Sequence, residues 1–492
     1  MSGAMTTAGW RFDNSYARLP EPLFTPAVPV PVRAPRLVLL NEPLAAELGL
    51  DVAAVRDVGA AVFVGNELPA GAEPIAQAYA GHQFGHFTNL GDGRAILLGE
   101  QLTPAGRRFD IQLKGSGRTR YSRGGDGRAA LGPMLREYVV SEAMHGLGIP
   151  TTRSLAVAAT GEVVLRTTPL PGAVLTRVAA SHIRVGTFQY AAAVGRRDVL
   201  EALLEHALTR HDPELAALDP EERPAAFLDA VVGRQAALVA RWMLVGFVHG
   251  VMNTDNMAIC GETIDYGPCA FLDAYDPATV FSSIDEQGRY AYVNQPAIAH
   301  WNLARLAESL LPLFPGAGDE VIERARAVLD RFPDRFARAY EAGARAKLGL
   351  TTEEGDDPPL FAGLLERMHR AGADFTGTFA GLTAAAEALA VGRPAVAPLP
   401  FPDWEADWRA RLAREPGSPA ASVAVMRRVN PLVIPRNHRV EEALAAAEAG
   451  DRGPLDRLLE ALRDPFTPTP ASEPYRDGPP AGCGRYRTFC GT

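Results

Sequence analysis

A chain of 492 residues with 47% hydrophobic and 22% charged residues can bury a large core, and its length points to two or three domains or one two-lobed unit. A formal net charge of −9 and a pI near 5.7 leave no overall positive field to recruit nucleic acid or an anionic membrane. No uninterrupted apolar run approaches the roughly 20 residues that span a bilayer. The start MSGAMTTAGWRFDNSYARLP lacks a basic segment followed by an apolar one, so the cytoplasm is the expected compartment.

Residues 20–35 are rich in proline, which denies helix and central strand and predicts an extended arm laid across a surface. Residues 95–100 and 109–114 are short, apolar or alternating segments on either side of the turn TPAGRR, and they predict an antiparallel hairpin. A helix is predicted in LGPMLREYVVSEAMHGLGIP, with a proline near its start, Leu135, Tyr138 and Val139 on its apolar face, and Gly148 and Pro150 to stop it. Further strands are expected at 154–159 and 162–168.

From Tyr190 onward the texture is helical, as in the stretches 196–211, 227–250 and 321–348. Breaks rich in Pro, Gly and acids fall at 351–359, 393–403 and 465–482. The expected division is an arm and sheet-rich part over 1–185, a helical part over 186–465, and a tail over 466–492. The last eleven residues, GCGRYRTFCGT, are expected to be a poorly ordered terminus.

The segment His249-Gly-Val-Met-Asn-Thr-Asp255-Asn256, followed by Asp265-Tyr266-Gly267, carries the strongest chemical signal. Hard cations such as Mg²⁺ take oxygen ligands from one or two side chains and fill the rest of their shell with water and phosphate. Asn256 and Asp265 supply such oxygens from neighbouring segments. Upstream, Gly91-Asp92-Gly93-Arg94 is a turn at which backbone amides and a guanidinium can approach an anion. Lys114 ends an apolar strand, and Glu137, on the predicted helix, can fix its ammonium. A second glycine segment runs from Arg123 through Asp126 and Gly127 to Arg128.

The order of glycine turn, strand lysine, helix glutamate, His249-x₆-Asn256 and Asp265-Tyr-Gly is that of protein kinases. The usual catalytic-loop aspartate is missing, because position 251 is valine. Asp255 is the nearby carboxylate able to accept a hydroxyl proton, although a turn-capping role would also suit it. His82 and His86, four apart in GHQFGHF, have no third ligand near them and read as structural.

These stretches, above all GHQFGHFTNLGDGRAILLGE, QLKGSGRTRYSRGGDGRAALGPMLREYVVSEAMHGLGIPTTRSL, HGVMNTDNM and ETIDYGP, closely resemble the selenoprotein O family of kinase-like proteins that transfer AMP from ATP to protein hydroxyls. The similarity runs from WRFDNSYARLPEPLF to the Cys-Gly-Thr end. It implies an α+β, bilobal protein-kinase-like fold with a mixed sheet and one key helix in the first lobe and a mainly α-helical second lobe. It further implies ATP bound turned around relative to kinases, so that the α-phosphate faces the acceptor.

Matched residue by residue, the resemblance assigns Gly91, Gly93, Arg94, Lys114, Asp126, Gly127, Arg177, Arg184 and Asp265 to the nucleotide, Glu137 to Lys114, Asn256 and Asp265 to Mg²⁺ or Mn²⁺, and Asp255 to the proton-acceptor role. The implied partners are ATP, with UTP as an alternative donor, and proteins bearing Ser, Thr or Tyr hydroxyls, the chain itself included. The rival readings are γ-phosphoryl transfer and a non-catalytic nucleotide-binding scaffold.

Some relatives carry selenocysteine where Cys490 stands, and in some this residue forms a disulfide to the activation-loop region. Cys269 lies in that region here. The loop cysteine of such relatives falls nearer Phe281-Ser282, which leaves the pairing of Cys490 open. Cys260 and Cys483 read as idle thiols.

Overall fold

The computed structural model describes residues 8–393, 400–480, 482 and 486–488. Strands dominate up to residue 179 and helices from residue 185, as the periodicity predicts. The strands are β1 (Phe24–Pro26), β2 (Arg36–Leu40), β3 (Ile75–Gln77), β4 (Ala80–Gln83), β5 (His86–Asn89), β6 (Ala95–Leu102), β7 (Arg108–Lys114), β8 (Ala129–Ala130), β9 (Arg153–Leu165), β10 (Pro169–Ala179), β11 (Phe247–Val248) and β12 (Ala270–Phe271). The mixed sheet implied by the resemblance is corrected here: the sheet is antiparallel and runs in the order β1-β3-β6-β7-β10-β9-β2, with β8 on β10.

The predicted hairpin is β6–β7, with Ala95 opposite Lys114 and Leu102 opposite Arg108. The arm contributes β1 at the sheet's edge, where a proline without an N–H is tolerated. Two expectations need correction. The separate strands at 154–159 and 162–168 are one strand, β9, and the segment after it is a second long strand, β10, which the prolines at 169 and 171 disguised.

The predicted helix spans Leu131–Gly146 and ends where Gly148 turns left-handed at φ 72°. Leu135 and Val139 pack with Val157 and Leu175 of the sheet, and the same core takes in Val440, Leu444, Leu455 and Leu458. The helix is therefore held on two sides, by the sheet and by the helices Asn437–Glu448 and Gly453–Arg463.

The largest core is built on the helix Arg223–Val245, whose Phe227, Leu228, Val231, Val232, Leu238, Val239 and Trp242 recur at helical spacing and are buried. Gly246, at φ 72°, ends it and releases the chain into β11. The helical run expected over 321–348 breaks into Asp319–Leu329 and Phe332–Lys347, because Pro333 suits a new first turn better than a helix interior. The helix Asp357–Ala371 begins inside the expected break at 351–359 for the same reason, with Pro358 in its first turn.

The tail expectation is corrected at Thr488, which is docked. Its N–H donates to Phe281 O at 2.8 Å, its carbonyl accepts from Ser283 N at 3.0 Å, and its hydroxyl donates to Pro268 O at 2.8 Å.

A buried ion cluster ties sheet to helices. Glu100 of β6 and Asp110 of β7 are fully buried, and Arg210 of the helix Arg197–His211 stands 3.0 Å from the first and 2.6 Å from the second. His182 donates its backbone N–H to Asp110 at 2.8 Å, and its ring Nδ1 lies 3.0 Å away. Among the described residues, no helix is long and apolar enough to cross a membrane.

Candidate active site

β11 and β12 pair Phe247 with Phe271 and Val248 with Ala270, so the loop 249–256 and the turn 265–267 leave one small ribbon side by side. His249 links them: its Nε2 lies 2.9 Å from Ile264 O, and its N–H donates to Gln295 Oε1 at 3.0 Å. The two segments that the spacing singled out are thus one place in space.

Five predicted residues converge there. Lys114, at the end of β7, donates to Glu137 at 2.5 Å and to Asp265 Oδ1 at 3.2 Å. Arg177 on β10 donates to the same Oδ1 at 2.7 Å, and Arg184 donates to Oδ2 at 2.5 Å and to Asp255 O at 2.6 Å. The Arg184 guanidinium also lies 4.8 Å over the ring of Tyr79. Three cations meet the two carboxylates Glu137 and Asp265 here, with Asp92 and Asp255 close enough to act on Arg184 as well, and the donors that point at Asp265 are ones a polyanion could share.

The electrostatics follow from this packing. Burial alone would raise the Asp265 carboxyl, but Arg184, Arg177 and Lys114 hold it well below the usual carboxylate range. Burial lowers the Lys114 ammonium, and Glu137 offsets only part of that. Asp265 has φ 63°, a left-handed backbone that few residues other than glycine adopt and that is concentrated at functional sites.

Asp255 sits in a tight turn, Thr254–Asn256, with 7% of its surface exposed. Burial pushes its carboxyl up to about 6 in spite of Arg184. Among the described residues its Oδ1 has no hydrogen-bond partner, and its Oδ2 has only Gln83 Nε2, at 3.5 Å. Asn256 donates its Nδ2 to Val251 O at 2.9 Å, which leaves its amide oxygen as the acceptor. The Asn256 amide and the Asp265 carboxylate are hard oxygen donors that fit Mg²⁺ or Mn²⁺ better than a softer ion.

Gly91, Gly93, Arg94, Asp126 and Gly127 line a cavity of about 510 Å³ together with Tyr79, Gln83, Tyr121 and Asp255. A Cβ at Gly91 would lie 2.5 Å from the Tyr121 ring, so this wall can only be glycine. Asp126 accepts from Arg166 at 2.8 Å and from its neighbour Arg128 N at 2.9 Å. Another cavity, of about 850 Å³, is larger but lies behind the Leu131–Gly146 helix and holds none of these residues. Chemistry rather than size picks out the site.

The sequence reading missed Tyr79 and Gln83, and it gave Asp92 no role of its own in the glycine turn. Asp92 is buried, accepts from Gln77 N at 3.1 Å and Gln112 Nε2 at 3.2 Å, and is raised to about 6 by burial. A usable signal was present in the lysine count. Lys114 and Lys347 are the chain's only lysines, every other basic side chain being arginine, and both are buried.

His82 is held as expected, taking the Gln189 amide at 2.7 Å and packing its ring 5.3 Å from both Phe87 and Trp301. Cys269 is a free, fully buried thiol that burial pushes up to about 12, while Cys490 and Cys483 lie outside the described residues.

The chain is similar to known proteins along most of its length. Residues 8–463 match the family described as Protein adenylyltransferase SelO. The protein nucleotidyltransferase YdiU of Geobacillus kaustophilus is 59% identical over 487 residues, covering 99% of this chain and all of the relative. Those of Halalkalibacterium halodurans and Syntrophotalea carbinolica are 59% and 57% identical, each over 98% of its own length. The chain belongs to the SelO family of protein adenylyltransferases.

Proposed function

We propose that this protein is a cytoplasmic nucleotidyltransferase that moves AMP from ATP to Ser, Thr or Tyr hydroxyls of proteins, itself included. The observation that carries the reading is the convergence of Lys114, Arg177 and Arg184 on Asp265, beside the nearly unpartnered carboxylate of Asp255. The sheet-rich part over 1–185 and the helical part over 186–465 then correspond to the two lobes of a kinase-like fold, with 466–492 as a tail.

In this mechanism Gly91, Gly93, Arg94, Asp126 and Gly127 bind the nucleotide in the 510 Å³ cavity. Arg177, Arg184 and Lys114 turn part of their donors from Asp265 to the β- and γ-phosphates, and charge-assisted bonds there steady the leaving group. Asp255 takes the proton from the acceptor hydroxyl, whose oxygen bonds to the α-phosphorus. The bond from the α-phosphorus to the bridging oxygen breaks, and pyrophosphate leaves with the electron pair. Asn256 and Asp265 would hold Mg²⁺ or Mn²⁺, which supplies charge neutralisation on the phosphates.

Incubation with α-³²P-ATP and, separately, with γ-³²P-ATP tests this. Protein labelled from the α-position alone is expected. Label from the γ-position alone would mean phosphoryl transfer, and no label from either would mean a binding scaffold.

A further inference from the structure

Strands β4 and β5 form a two-stranded hairpin that, among the described residues, joins no other sheet, and no step above uses it. Its turn, Phe84-Gly85, has positive φ at both positions, 50° and 90°, as a tight twisted hairpin requires. The GHQFGHF motif is thus a rigid projection, and its inner strand lies along the loop that carries Asp255.

Backbone donors of β4 and the turn fix the two residues before Asp255. The His82 N–H donates to Thr254 Oγ1 at 2.7 Å, and the Phe84 N–H donates to Asn253 Oδ1 at 3.1 Å and to Tyr290 Oη at 3.2 Å. The Tyr290 hydroxyl in turn donates to Asn253 Oδ1 at 2.6 Å. Hairpin, catalytic loop and the segment after Asp265 share one hydrogen-bonded node.

The Asp255 carboxylate is walled from the same side. A Cβ on Gly81 would lie 2.2 Å from Asp255 Oδ1, so only glycine lets β4 approach this closely. Gly186 packs close to both β4 and Asp255, since a Cβ there would lie 2.0 Å from Ala80 O and 3.3 Å from Asp255 Cα. Gln83 stands beside Oδ2, at 3.5 Å, and faces the same cavity as Asp255. An aspartate carboxylate turns easily about its last torsion. With no donor on Oδ1 and one distant donor on Oδ2, it is the packing of Gly81 and Gln83 that restricts this turn.

We propose that the β4–β5 hairpin, through Gln83 and Gly81, is the positioning element of the transfer reaction, holding Asp255 in the one orientation that meets an incoming protein hydroxyl. The proposal rests on Asp255 being the proton acceptor. Gln83 is a positioning residue, because it acts through Asp255 and not on the reacting atoms.

The test is a double-mutant cycle on the full-length protein with ATP, Mg²⁺ and a protein acceptor, combining Gln83→Ala with Asp255→Asn. Gln83→Ala is expected to lower kcat by about 10- to 100-fold at unchanged Tm, with a smaller change in KM for ATP because Gln83 also lines the nucleotide cavity. In the Asp255→Asn background it is expected to cost nothing further in the residual rate. The proposal is overturned if Gln83→Ala leaves kcat intact, or if it costs the same factor in both backgrounds. Full activity of Asp255→Asn would instead remove the proton-acceptor reading itself. Gly81→Ala supplies a second probe, expected to lose transfer while ATP affinity stays; retained transfer in a folded Gly81→Ala protein would also overturn the proposal. Should that variant fail to fold, the Gln83 cycle decides alone.

Discussion

Arg177 donates to Asp265 at 2.7 Å while standing 3.4 Å from Glu137, so one guanidinium binds together the two acids on which the site's cations depend. Asp265 therefore has two roles. It keeps Lys114, Arg177 and Arg184 together, and in the proposed mechanism it also offers an oxygen to a divalent ion once the nucleotide is bound.

The roles separate in Asp265→Ala. Removing the carboxylate strands the buried Arg184 and leaves Lys114 and Arg177 with Glu137 alone, and because 20% of the Asp265 side chain is open to solvent the loss should sit at the low end for a broken buried pair, about 3 kcal/mol. Transfer should vanish. ATP should still bind without metal, since the cations are released toward phosphate, while the gain in affinity on adding Mg²⁺ should disappear. Calorimetric titrations with and without Mg²⁺ check both, and label incorporation by this variant at the parent rate would remove Asp265 from the site.

The two lysines allow a chemical test. An acyl-phosphate derivative of ATP acylates an amine beside the bound phosphates, and Lys114 is the lysine at this site. Peptide mapping should find the acyl group on Lys114 and not on Lys347, with labelling suppressed by excess ATP. Labelling of Lys347, or none, would place the nucleotide elsewhere.

Two glycines of one loop should behave differently. A Cβ at Gly127 would lie 2.1 Å from Gly117 O at φ 66°, whereas Gly124, at φ 90°, has nothing within 4 Å. Gly124→Ala carries only the left-handed strain of about 1–2 kcal/mol, but Gly127→Ala must also push backbone apart. KM for ATP should rise by at least about tenfold in Gly127→Ala and much less in Gly124→Ala. Steady-state kinetics of the pair would show whether the loop's shape sets nucleotide affinity.

How much of this was readable in the sequence depends on distance along the chain. Asp255, Asn256 and Asp265 fall within a dozen residues, so their spacing carried the chemistry, and the glycine turns and Lys114 lie at strand ends where charge stands out. Gln83 and Asp255 are 172 positions apart, and no local pattern links them. The same holds for Arg210, whose partners Glu100 and Asp110 look like ordinary polar positions of an alternating strand until a helix covers them. β10 was hidden by its prolines, while Pro333 could have shown the helix break near 330.

Lys347 makes a pH-dependent prediction. It is 2% exposed, its Nζ lies 4.0 Å over the Phe379 ring, and burial lowers it from its ordinary 10.5 to about 7. Between about 7 and 10.5 the unfolded chain binds a proton that the folded chain does not, so stability rises with pH across that window. The cost is fully present at and below the lower limit and gone above the upper one. Lys347→Met should stabilise the protein at pH 7 by about 2 to 4 kcal/mol, the ring's attraction for the ammonium offsetting part of the burial penalty. The gain should shrink steadily toward pH 10.5. Urea unfolding at several pH values checks it, and a gain independent of pH would show that the amine is not the cause.

The Arg210 clamp bears on how substrate gets in and product gets out. Prising the strands away from the helices would drag a guanidinium off Glu100 and Asp110 in a waterless interior, at several kcal/mol by the usual cost of separating such a pair. Jaw-like gaping is therefore the expensive route. The arginine-bearing rim at 118–128 is exposed over most of its length, so shifting it disturbs far less buried structure.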